Sequence, residues 1–467
     1  MSLPQPALIK KLKSAIPRGR LLTNPAQLAA YEADGLGYKR FHPDAVAIPE
    51  NTEELKALII ELKAHQIPYC IRGAGTSLSG GPVAAQGGLI IHLSKLRRIE
   101  EINIEDRYAV VESGVILNHL DAALEPLGLY YPPDPSTGSV CTLGGNVASN
   151  SGGIHCFRYG VTGNYVLGVE VMLMDGSVSR FGGPAGGRGD WQHDWKRLFV
   201  GSEGTLGIFT RFWLRLIPRP EKVWTFRATY SEIEGASQAI TRLAGHCAFP
   251  AAIEFMDPRC VDMVENSPMA VGLPKSSYMI LTEIDGPTEL VDGRVEMIAT
   301  ILRECGSTDV SYSDQASERQ ALWKARKVQG GLLGQVSPDF VVQDAVIPKA
   351  KIGEMLHFIY QQCDEAGITV TTILHAGDGN LHPNFLFDRR KEGEFEKVEK
   401  IGKALMKKVS EMGGTLSGEH GIGNDKSAYM AEHFGSMGQA VQMTIPTVFN
   451  PTHKLNPLKV FPERAFA

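Results

Sequence analysis

The architecture of the first half of the chain follows from one glycine-rich segment, Gly73-Ala-Gly-Thr-Ser-Leu-Ser-Gly-Gly81. It follows a predicted short strand at residues 68–72, so its consecutive backbone N–H groups stand where a strand ends. No Gly-Lys-Ser/Thr closes the segment, and Leu78 stands where the third glycine of a dinucleotide fingerprint belongs. It is therefore neither a Walker A loop nor that fingerprint. It predicts a nest for a pyrophosphate, with a tight surface turn as the alternative.

Two further segments of small residues lie between predicted strands and helices. They read Thr142-Leu-Gly-Gly-Asn-Val-Ala-Ser-Asn-Ser-Gly-Gly153 and Val200-Gly-Ser-Glu-Gly-Thr-Leu-Gly-Ile208. Glycine is favoured where the backbone approaches a ligand closely or takes positive φ. Many of the 50 glycines fall between residues 73 and 207, which favours a large cofactor bound through the backbone.

Length and charge limit the possible classes of protein. The chain has 467 residues with 47 Lys and Arg against 52 Asp and Glu, a formal net charge of −5. One hydrophobic core usually stops growing at about 250–300 residues, so we expect two domains. Mild acidity argues against nucleic acid as a partner, because phosphate binding needs a basic surface. The seven cysteines occur without a CxxC pair, which excludes zinc-ribbon, thioredoxin and ferredoxin-type motifs.

Neither a membrane span nor a secretory signal is expected. No apolar run approaches the ~20 residues that a spanning helix requires. Residues 1–20 mix Pro, Lys and Arg and contain no apolar core of a signal peptide. We therefore expect a cytoplasmic protein.

The composition of the sequence changes around Pro218-Arg-Pro220: glycine becomes sparse, and longer helical and strand patterns begin. Glycine-rich sequence returns at residues 413–423. We predict three parts: a cofactor domain at 1–220, a substrate or cap domain at 221–410, and a glycine-rich active-site loop with a tail at 411–467. The tail is expected to return to the first domain.

The sharpest chemical signal is the segment His375-Ala-Gly-Asp-Gly-Asn-Leu-His382 between two predicted strands. The turn residues at its centre predict a hairpin, which would place the two histidines side by side. In the outgoing strand His382 and Asn384 share one face by the period of two. Pro383 donates no hydrogen bond, so this strand is expected to be an edge strand or bulged.

A third ligand is needed if the two imidazoles hold a metal. Glu419, in Gly414-Thr-Leu-Ser-Gly-Glu-His-Gly-Ile-Gly423, is exposed by its small neighbours and can supply a carboxylate. Two histidines and a carboxylate form an ordinary catalytic set for zinc, and also for iron or manganese. The alternative is a pair of surface histidines beside an unrelated glycine loop.

Five ordered blocks resemble the FAD-binding domain of the vanillyl-alcohol oxidase / p-cresol methylhydroxylase superfamily. They are Arg72-Gly-Ala-Gly-Thr-Ser, Pro133-Asp-Pro-Ser, Thr142-Leu-Gly-Gly-Asn-Val-Ala, Tyr159-Gly and Gly201-Ser-Glu-Gly-Thr-Leu-Gly-Ile. The resemblance implies an α+β fold: a two-part FAD-binding domain of the p-cresol methylhydroxylase type, plus an α+β cap domain with an antiparallel sheet. The FAD contacts that it implies are Arg72, Gly73, Ala74, Gly75, Thr76, Ser77, Pro133, Ser136, Thr142, Gly144, Gly145, Asn146, Ala148, Gly153, Tyr159, Gly207, Ile208 and Asn456. Some relatives attach FAD through a histidine; His155 is a weak equivalent, so we predict non-covalent FAD.

The motifs His-x-Gly-Asp-Gly-Asn-Leu-His and Gly-Glu-His-Gly-Ile-Gly resemble the cap domain of FAD-linked D-2-hydroxy-acid dehydrogenases. That family includes D-lactate and D-2-hydroxyglutarate dehydrogenases and the flavin subunit of glycolate oxidase. The resemblance implies His375, His382 and Glu419 as metal ligands and His420 as the base. It also implies Asn384 as a substrate contact and Arg326 as the residue that binds the substrate carboxylate.

Two departures from the 2-hydroxyglutarate enzymes bear on the substrate. Those enzymes place a threonine four residues after the arginine and a lysine two residues before an aspartate. The corresponding positions here are Gly330 and Val342, the aspartate being Asp344. Neither residue can bind a second carboxylate, which favours glycolate or D-lactate over a dicarboxylate.

The predicted reaction is metal-assisted oxidation of a small 2-hydroxy acid to the 2-oxo acid by FAD. Electrons would pass to a partner protein, a quinone or a dye. If the acceptor is membrane-bound, this cytoplasmic protein would be peripheral to the membrane. A homodimer and a complex with other subunits both remain open. So do three other functions: a D-2-hydroxyglutarate dehydrogenase, a metal-dependent hydrolase, and a flavin subunit without turnover.

Overall fold

The computed structural model describes residues 9, 12–17, 19–184, 193–245 and 249–462. More than half of residues 1–20, on which the expectation about a secretory signal rests, lie outside these ranges. The strands are β1 Leu21–Leu22, β2 Ala45–Ala47, β3 Tyr69–Arg72, β4 Leu89–His92, β5 Ile99–Asn103, β6 Tyr108–Glu112, β7 Leu129–Tyr130, β8 Val166–Met172, β9 Val178–Gly182, β10 Ile208–Arg215, β11 Ile217–Pro218, β12 Lys222–Tyr230, β13 Ala252–Met256, β14 Tyr278–Gly286, β15 Asp309–Ser313, β16 Asp339–Val342, β17 Ala345–Val346, β18 Thr369–His375 and β19 Asn380–Phe387.

Helices alternate with these strands along most of the chain. They are α1 Pro25–Leu28, α2 Thr52–Ala64, α3 Leu117–Leu124, α4 Leu143–Ser149, α5 Cys156–Tyr159, α6 Lys196–Phe199, α7 Ile233–Gly245, α8 Pro258–Glu265, α9 Thr288–Asp292, α10 Val295–Glu304, α11 Ala316–Val336, α12 Ile352–Ala366, α13 Glu394–Glu411 and α14 Met430–Phe449. Helix α14 is kinked at Gly435, whose φ of 71° is not helical. No helix within the described ranges is long and apolar enough to cross a bilayer.

The chain forms two compact units, each built from separate stretches of sequence. Unit 1 comprises Met1–Gly152, Val161–Arg219 and Glu419–Ala467. Unit 2 comprises Gly153–Gly160 and Pro220–Gly418. The predicted assignment of a cofactor domain, a cap and a returning tail stays a prediction about function.

Unit 1 contains two larger sheets. In the first, with strand order β1-β2-β4-β3, strands β2 and β3 both run parallel to β4, and β1 is antiparallel to β2. The second is antiparallel, with the order β5-β6-β10-β8-β9. Helix α2 begins at Asn51, whose side chain accepts a hydrogen bond from the Glu54 N–H at 2.9 Å. Its apolar face, including Leu55 and Ile59, is buried against the first sheet in the core of unit 1.

Unit 2 contains one antiparallel sheet in the order β15-β12-β14-β13-β18-β19-β16, with β17 also paired to β19. Helices α8 and α11 pack on it through an apolar cluster that includes Val261, Leu322 and Ile373. The predicted hairpin is confirmed: β18 and β19 pair in register, with His375 opposite Asn380 and Ile373 opposite His382.

The expectation of an edge strand at Pro383 is wrong, because β19 lies inside the sheet between β18 and β16. Pro383 lies where β16 ends and β17 begins, and its carbonyl accepts a hydrogen bond from the Gln343 N–H at 3.0 Å. The N–H and C=O of a strand residue point to the same neighbour. The missing proline N–H therefore falls at the interruption between β16 and β17.

Candidate functional site

A deep cleft in unit 1 collects the three glycine-rich segments. It encloses about 1230 Å³ of space, including the part open to solvent. Thirteen of the residues expected to contact a cofactor line it: Gly73, Ala74, Gly75, Thr76, Ser77, Ser136, Thr142, Gly144, Gly145, Asn146, Ala148, Gly207 and Asn456. Segments far apart in the sequence thus form one surface of backbone amides and small hydroxyls.

The other five expected contacts do not line this cleft. Arg72 lies beneath the first loop, where a Cβ on Gly75 would overlap its guanidinium. Ile208 is buried in β10, and Pro133 is also buried. Gly153 and Tyr159 belong to unit 2, where the Tyr159 hydroxyl donates to Asp285 at 2.7 Å. Their roles in cofactor binding stay predictions.

The second glycine-rich segment is a helix start rather than a loop. Thr142 caps α4, and its Oγ1 accepts a hydrogen bond from the Gly145 N–H at 3.2 Å. A Cβ on Gly144 would lie 2.7 Å from the carbonyl oxygen of Ser113, so only glycine fits there. Protein oxygens accept the first N–H groups of α4: Leu143 N–H donates to Val115 O at 2.8 Å and Gly144 N–H to Ser113 O at 2.7 Å. The helix start therefore offers the cleft its partial positive charge and not free N–H groups.

The cleft fits an elongated cofactor that carries a pyrophosphate. The side chain of Ser113 is 2% exposed and lines the cleft. Its Oγ makes no hydrogen bond with any residue that the structure describes. A buried hydroxyl of this kind costs free energy unless a ligand satisfies it, because it has lost its contacts with water.

His420 and Glu419, predicted as base and metal ligand, also line the cleft of unit 1. Their side chains are mostly buried, with 13% and 14% of their surface exposed. The carbonyl oxygen of His420 accepts a hydrogen bond from Ser79 Oγ at 2.9 Å. Both residues are therefore presented to the surface on which we expect the cofactor.

The two other predicted metal ligands are neighbours in unit 2. The rings of His375 and His382 have centroids 5.1 Å apart and lie nearly perpendicular. His375 Nδ1 lies 2.6 Å from Glu254 Oε1. The other oxygen of Glu254 accepts a hydrogen bond from Arg326 Nε at 2.9 Å and forms an ion pair with Nη2, also at 2.9 Å. A single buried carboxylate thus joins one predicted metal ligand to the predicted carboxylate clamp.

A second buried carboxylate stands beside His382. Asp344 is 0% exposed, and its Oδ1 lies 4.0 Å from His382 Nδ1. Its carboxylate accepts hydrogen bonds from Ser417 Oγ at 2.6 Å and from the Gly418 N–H at 3.0 Å. It fixes the chain at the residue immediately before Glu419.

Asn384 and His155 are both held by protein groups in unit 2. Asn384 Nδ2 donates to the carbonyl oxygens of Thr371 and His382 at 3.1 and 3.3 Å. His155 Nε2 lies 3.0 Å from Glu283 Oε2. Burial alone would raise the pKa of Glu283, but the hydrogen bonds from His155, Thr225 and Trp323 outweigh it and lower the pKa to about 2.

Sequence reasoning missed three carboxylates: Glu203, Glu254 and Asp344. Glu254 carries a usable signal, since it is a lone charge inside the apolar strand β13 and a buried charge needs a partner. Glu203 lies between glycines in Gly201-Ser-Glu-Gly, where the small residues dominate the pattern and the carboxylate gives no separate signal.

Two family models cover most of the chain. The family described as FAD linked oxidases, C-terminal domain, matches residues 219–460. The family described as FAD binding domain matches residues 43–182. The chain belongs to the FAD-linked oxidase family. The predicted FAD-binding domain is thereby confirmed.

Named relatives of this FAD-linked oxidase are similar over nearly their full length. The glycolate oxidase subunit GlcD of Bacillus subtilis (strain 168) is 36% identical over 93% of this chain and 92% of its own. The D-lactate dehydrogenase of Archaeoglobus fulgidus is 32% identical over 89% and 90%. A D-2-hydroxyglutarate dehydrogenase of Xanthomonas citri pv. viticola is 29% identical over 97% and 96%. The resemblance to FAD-linked 2-hydroxy-acid dehydrogenases is confirmed.

The fold of this FAD-linked oxidase is shared with solved structures of low sequence identity. p-Cresol methylhydroxylase with substrate bound is 16% identical, with a TM-score of 0.81 over 98% of this chain and 97% of that chain. 4-Ethylphenol oxidase from Gulosibacter chungangensis is 19% identical, with a TM-score of 0.79. The predicted α+β architecture of the p-cresol methylhydroxylase type is confirmed.

Proposed function

We propose that this FAD-linked oxidase oxidises a small 2-hydroxy monocarboxylate, glycolate or D-lactate, to the 2-oxo acid with the help of a divalent metal. One observation carries the proposal. In unit 2, Glu254 holds His375 and Arg326 together, so an imidazole able to bind metal stands beside a guanidinium able to bind a carboxylate. The names of two relatives, glycolate oxidase subunit and D-lactate dehydrogenase, support this substrate class.

The residues of unit 1 that line the cleft would hold FAD without a covalent bond. When bound, FAD accepts the two electrons that leave the substrate during oxidation at C2. The contact of His155, the candidate for covalent attachment, with Glu283 in unit 2 supports non-covalent binding. The amides and hydroxyls of the first glycine-rich loop would bind the pyrophosphate.

His375, His382 and Glu419 would hold the metal, with zinc favoured over iron or manganese. When bound, the ion supplies Lewis acidity that lowers the pKa of the substrate hydroxyl. The fit rests on the donors: Glu254 engages His375 Nδ1 at 2.6 Å, which directs Nε2 outward as a ligand. Asp344 fixes Gly418, so the position of its chain neighbour Glu419 is restricted.

The side chains of the protein bind the substrate and move its proton. Arg326 would hold the carboxylate by charge-assisted hydrogen bonds. Asn384, on strand β19, would add a polar contact to the substrate. His420 would take the hydroxyl proton as general base, because imidazole titrates near neutral pH.

The second candidate is a D-2-hydroxyglutarate dehydrogenase, which the relative of that name favours. Against it, Gly330 offers no side chain on α11, and Val342 is apolar. A metal-dependent hydrolase would leave the FAD-binding domain without a use. The electron acceptor is proposed to be a partner protein or a quinone, and the word subunit in a relative's name supports association with other chains.

Anaerobic mixing of the purified protein with glycolate, D-lactate, L-lactate and D-2-hydroxyglutarate tests the proposal. We expect bleaching of the flavin absorption by glycolate or D-lactate, and only a slow residual bleaching in the His420→Ala variant. Faster bleaching by D-2-hydroxyglutarate would select the second candidate. No bleaching by any 2-hydroxy acid would favour a subunit without turnover.

A further inference from the structure

We infer that Glu203 is a positioning residue that fixes the loop carrying His420 in the cleft of unit 1. The inference rests on the proposed function, because it requires His420 to be the base. Both oxygens of the Glu203 carboxylate face the backbone two and three residues after His420. Oε1 accepts a hydrogen bond from the Ile422 N–H, and Oε2 from the Gly423 N–H, each at 2.7 Å.

Glycines allow the loop to lie this close to the carboxylate. Gly421 has a φ of 86°, and a Cβ there would lie 3.0 Å from the Glu203 carboxylate. A side chain at residue 421 would thus be strained and would also push the loop outward. The Gly-Glu-His-Gly-Ile-Gly motif therefore provides both the functional residues and the backbone that Glu203 holds.

Glu203 is itself fixed by the expected cofactor site. Its φ of 52° lies in the left-handed region, which non-glycine residues adopt at a cost. Its N–H donates to the carbonyl oxygen of Ala148 at 2.8 Å, and its own carbonyl oxygen accepts from Asn456 Nδ2 at 2.8 Å. Both partners line the cleft. In this strained conformation the Glu203 carboxylate contacts the loop of residues 420–425.

Ser79 holds the same loop from the first glycine-rich segment. Its Oγ donates to the carbonyl oxygen of His420 at 2.9 Å, and its carbonyl oxygen accepts from the N–H groups of Asn424 and Asp425. The backbone of residues 420–425 is thus held at five hydrogen-bonding groups by two residues. Because both also line the cleft, the position of the base is tied to the cofactor-binding surface.

The experiment compares Glu203→Gln with the parent holoenzyme. A glutamine has one acceptor oxygen, so one of the two amides loses its partner and meets an NH₂ group. We expect kcat to fall roughly 10- to 100-fold, as for other residues that orient a functional group, while KM changes less than about threefold. The flavin spectrum and FAD content should stay those of the parent.

Hydrogen exchange supplies a readout that is independent of turnover. In Glu203→Gln the peptide covering residues 420–425 should exchange at least about tenfold faster, with the rest of the cleft unchanged. Glu105→Gln is the matched control. It makes the same substitution at an exposed residue of unit 1 that does not line the cleft. It should match the parent in both measurements.

A double-mutant cycle separates positioning from a general loss of structure. If Glu203 acts through His420, Glu203→Gln combined with His420→Ala should be no slower than His420→Ala alone. Should Glu203→Gln fail to fold, Ser79→Ala tests the same loop from its other side: it removes only the hydrogen bond to the His420 carbonyl oxygen and should lower kcat with FAD content unchanged. Parental kcat and exchange rates in Glu203→Gln, or additive losses in the cycle, would overturn the inference. Full activity in His420→Ala would instead overturn the proposed function.

Discussion

At the scale of single residues, unit 2 depends on buried carboxylates that each serve two partners. Glu254 is 1% exposed and engages His375 with one oxygen and Arg326 with the other. A buried charge of this kind is tolerated only when paired and hydrogen-bonded. We attribute to it the orientation of both side chains.

Replacing Glu254 by glutamine should weaken metal binding. The amide cannot accept from both His375 and Arg326 as the carboxylate does, so the ring of His375 loses its fixed orientation. We expect metal affinity to fall roughly 10- to 100-fold, and KM to rise. Metal content after dialysis against graded chelator concentrations measures the first effect. Glu234→Gln, on the exposed side of α7, is the control. Parental metal retention in Glu254→Gln would contradict the assignment.

Asp257 should make the stability of unit 2 depend on pH. It is 0% exposed, and burial, only partly offset by hydrogen bonds from Cys260, Tyr360 and Thr372, raises its pKa to about 7. The unfolded pKa is about 3.9, so between these values the native state holds the extra proton. Its contribution is full below about pH 4 and is lost as the pH rises through 7.

Urea unfolding at about pH 5 and about pH 8 checks this sign. From pH 5 to pH 8 the parent should lose about 2–3 kcal/mol that Asp257→Asn does not lose, at 1.4 kcal/mol per pKa unit. The variant will be less stable at both pH values because it disturbs the hydrogen bonds at the start of α8. Only the difference between the two slopes tests the titration. Parallel profiles would show that Asp257 is ionised across the range.

At the scale of elements, the sequence predicts local turns, but it does not predict which strands pair with each other in the sheet. The hairpin between His375 and His382 was predicted because Gly-Asp-Gly-Asn is strong turn sequence. The place of β19 inside the sheet was missed, because its neighbours β16 and β17 precede it by a whole helix and strand. Likewise the glycines after Thr142 concealed a helix, whose stability comes from packing against Ser113 rather than from propensity.

The hairpin can be tested by adding one methyl group to its turn. Gly379 has a φ of 75°, and a Cβ there would overlap the carbonyl oxygen of Ile347. Gly379→Ala should therefore cost at least about 3 kcal/mol in unfolding free energy and also reduce metal binding. Gly367→Ala is the matched control, with a φ of 69° and no atom near its Cβ. It should cost only about 1 kcal/mol. Equal costs would show that the turn relaxes freely.

At the scale of the whole molecule, two of the three predicted metal ligands belong to unit 2, whereas the cofactor cleft and Glu419 belong to unit 1. The ordered blocks between residues 72 and 208 were enough to predict the FAD-binding fold, since each block is short and continuous. The contacts of Glu254 with His375 and Arg326 join residues 121 and 72 positions apart. Such pairings follow from strand register, which single-sequence patterns do not encode.

Metal removal should affect catalysis and leave flavin binding intact. Twelve of the thirteen cleft residues named above lie in the first two segments of unit 1, whereas two of the three predicted metal ligands, His375 and His382, belong to unit 2. We expect dialysis against a chelator to lower the rate with glycolate or D-lactate at least about tenfold, with the visible flavin spectrum unchanged. Readdition of zinc should restore the rate. Full turnover in metal-free protein would remove the metal from the proposed mechanism.

Unit 1 is assembled from three stretches of the chain, and the last of them begins at Glu419. During translation, all of unit 2 is therefore synthesised before Glu419, His420 and Asn456, which line the cleft. Because domains generally fold as they emerge during synthesis, unit 2 can mature first, while the flavin site stays unfinished on the nascent chain. Flavin loading then becomes a late, post-translational event. A premature stop after residue 418 would yield a protein that keeps His375 and His382 but lacks His420, the proposed base.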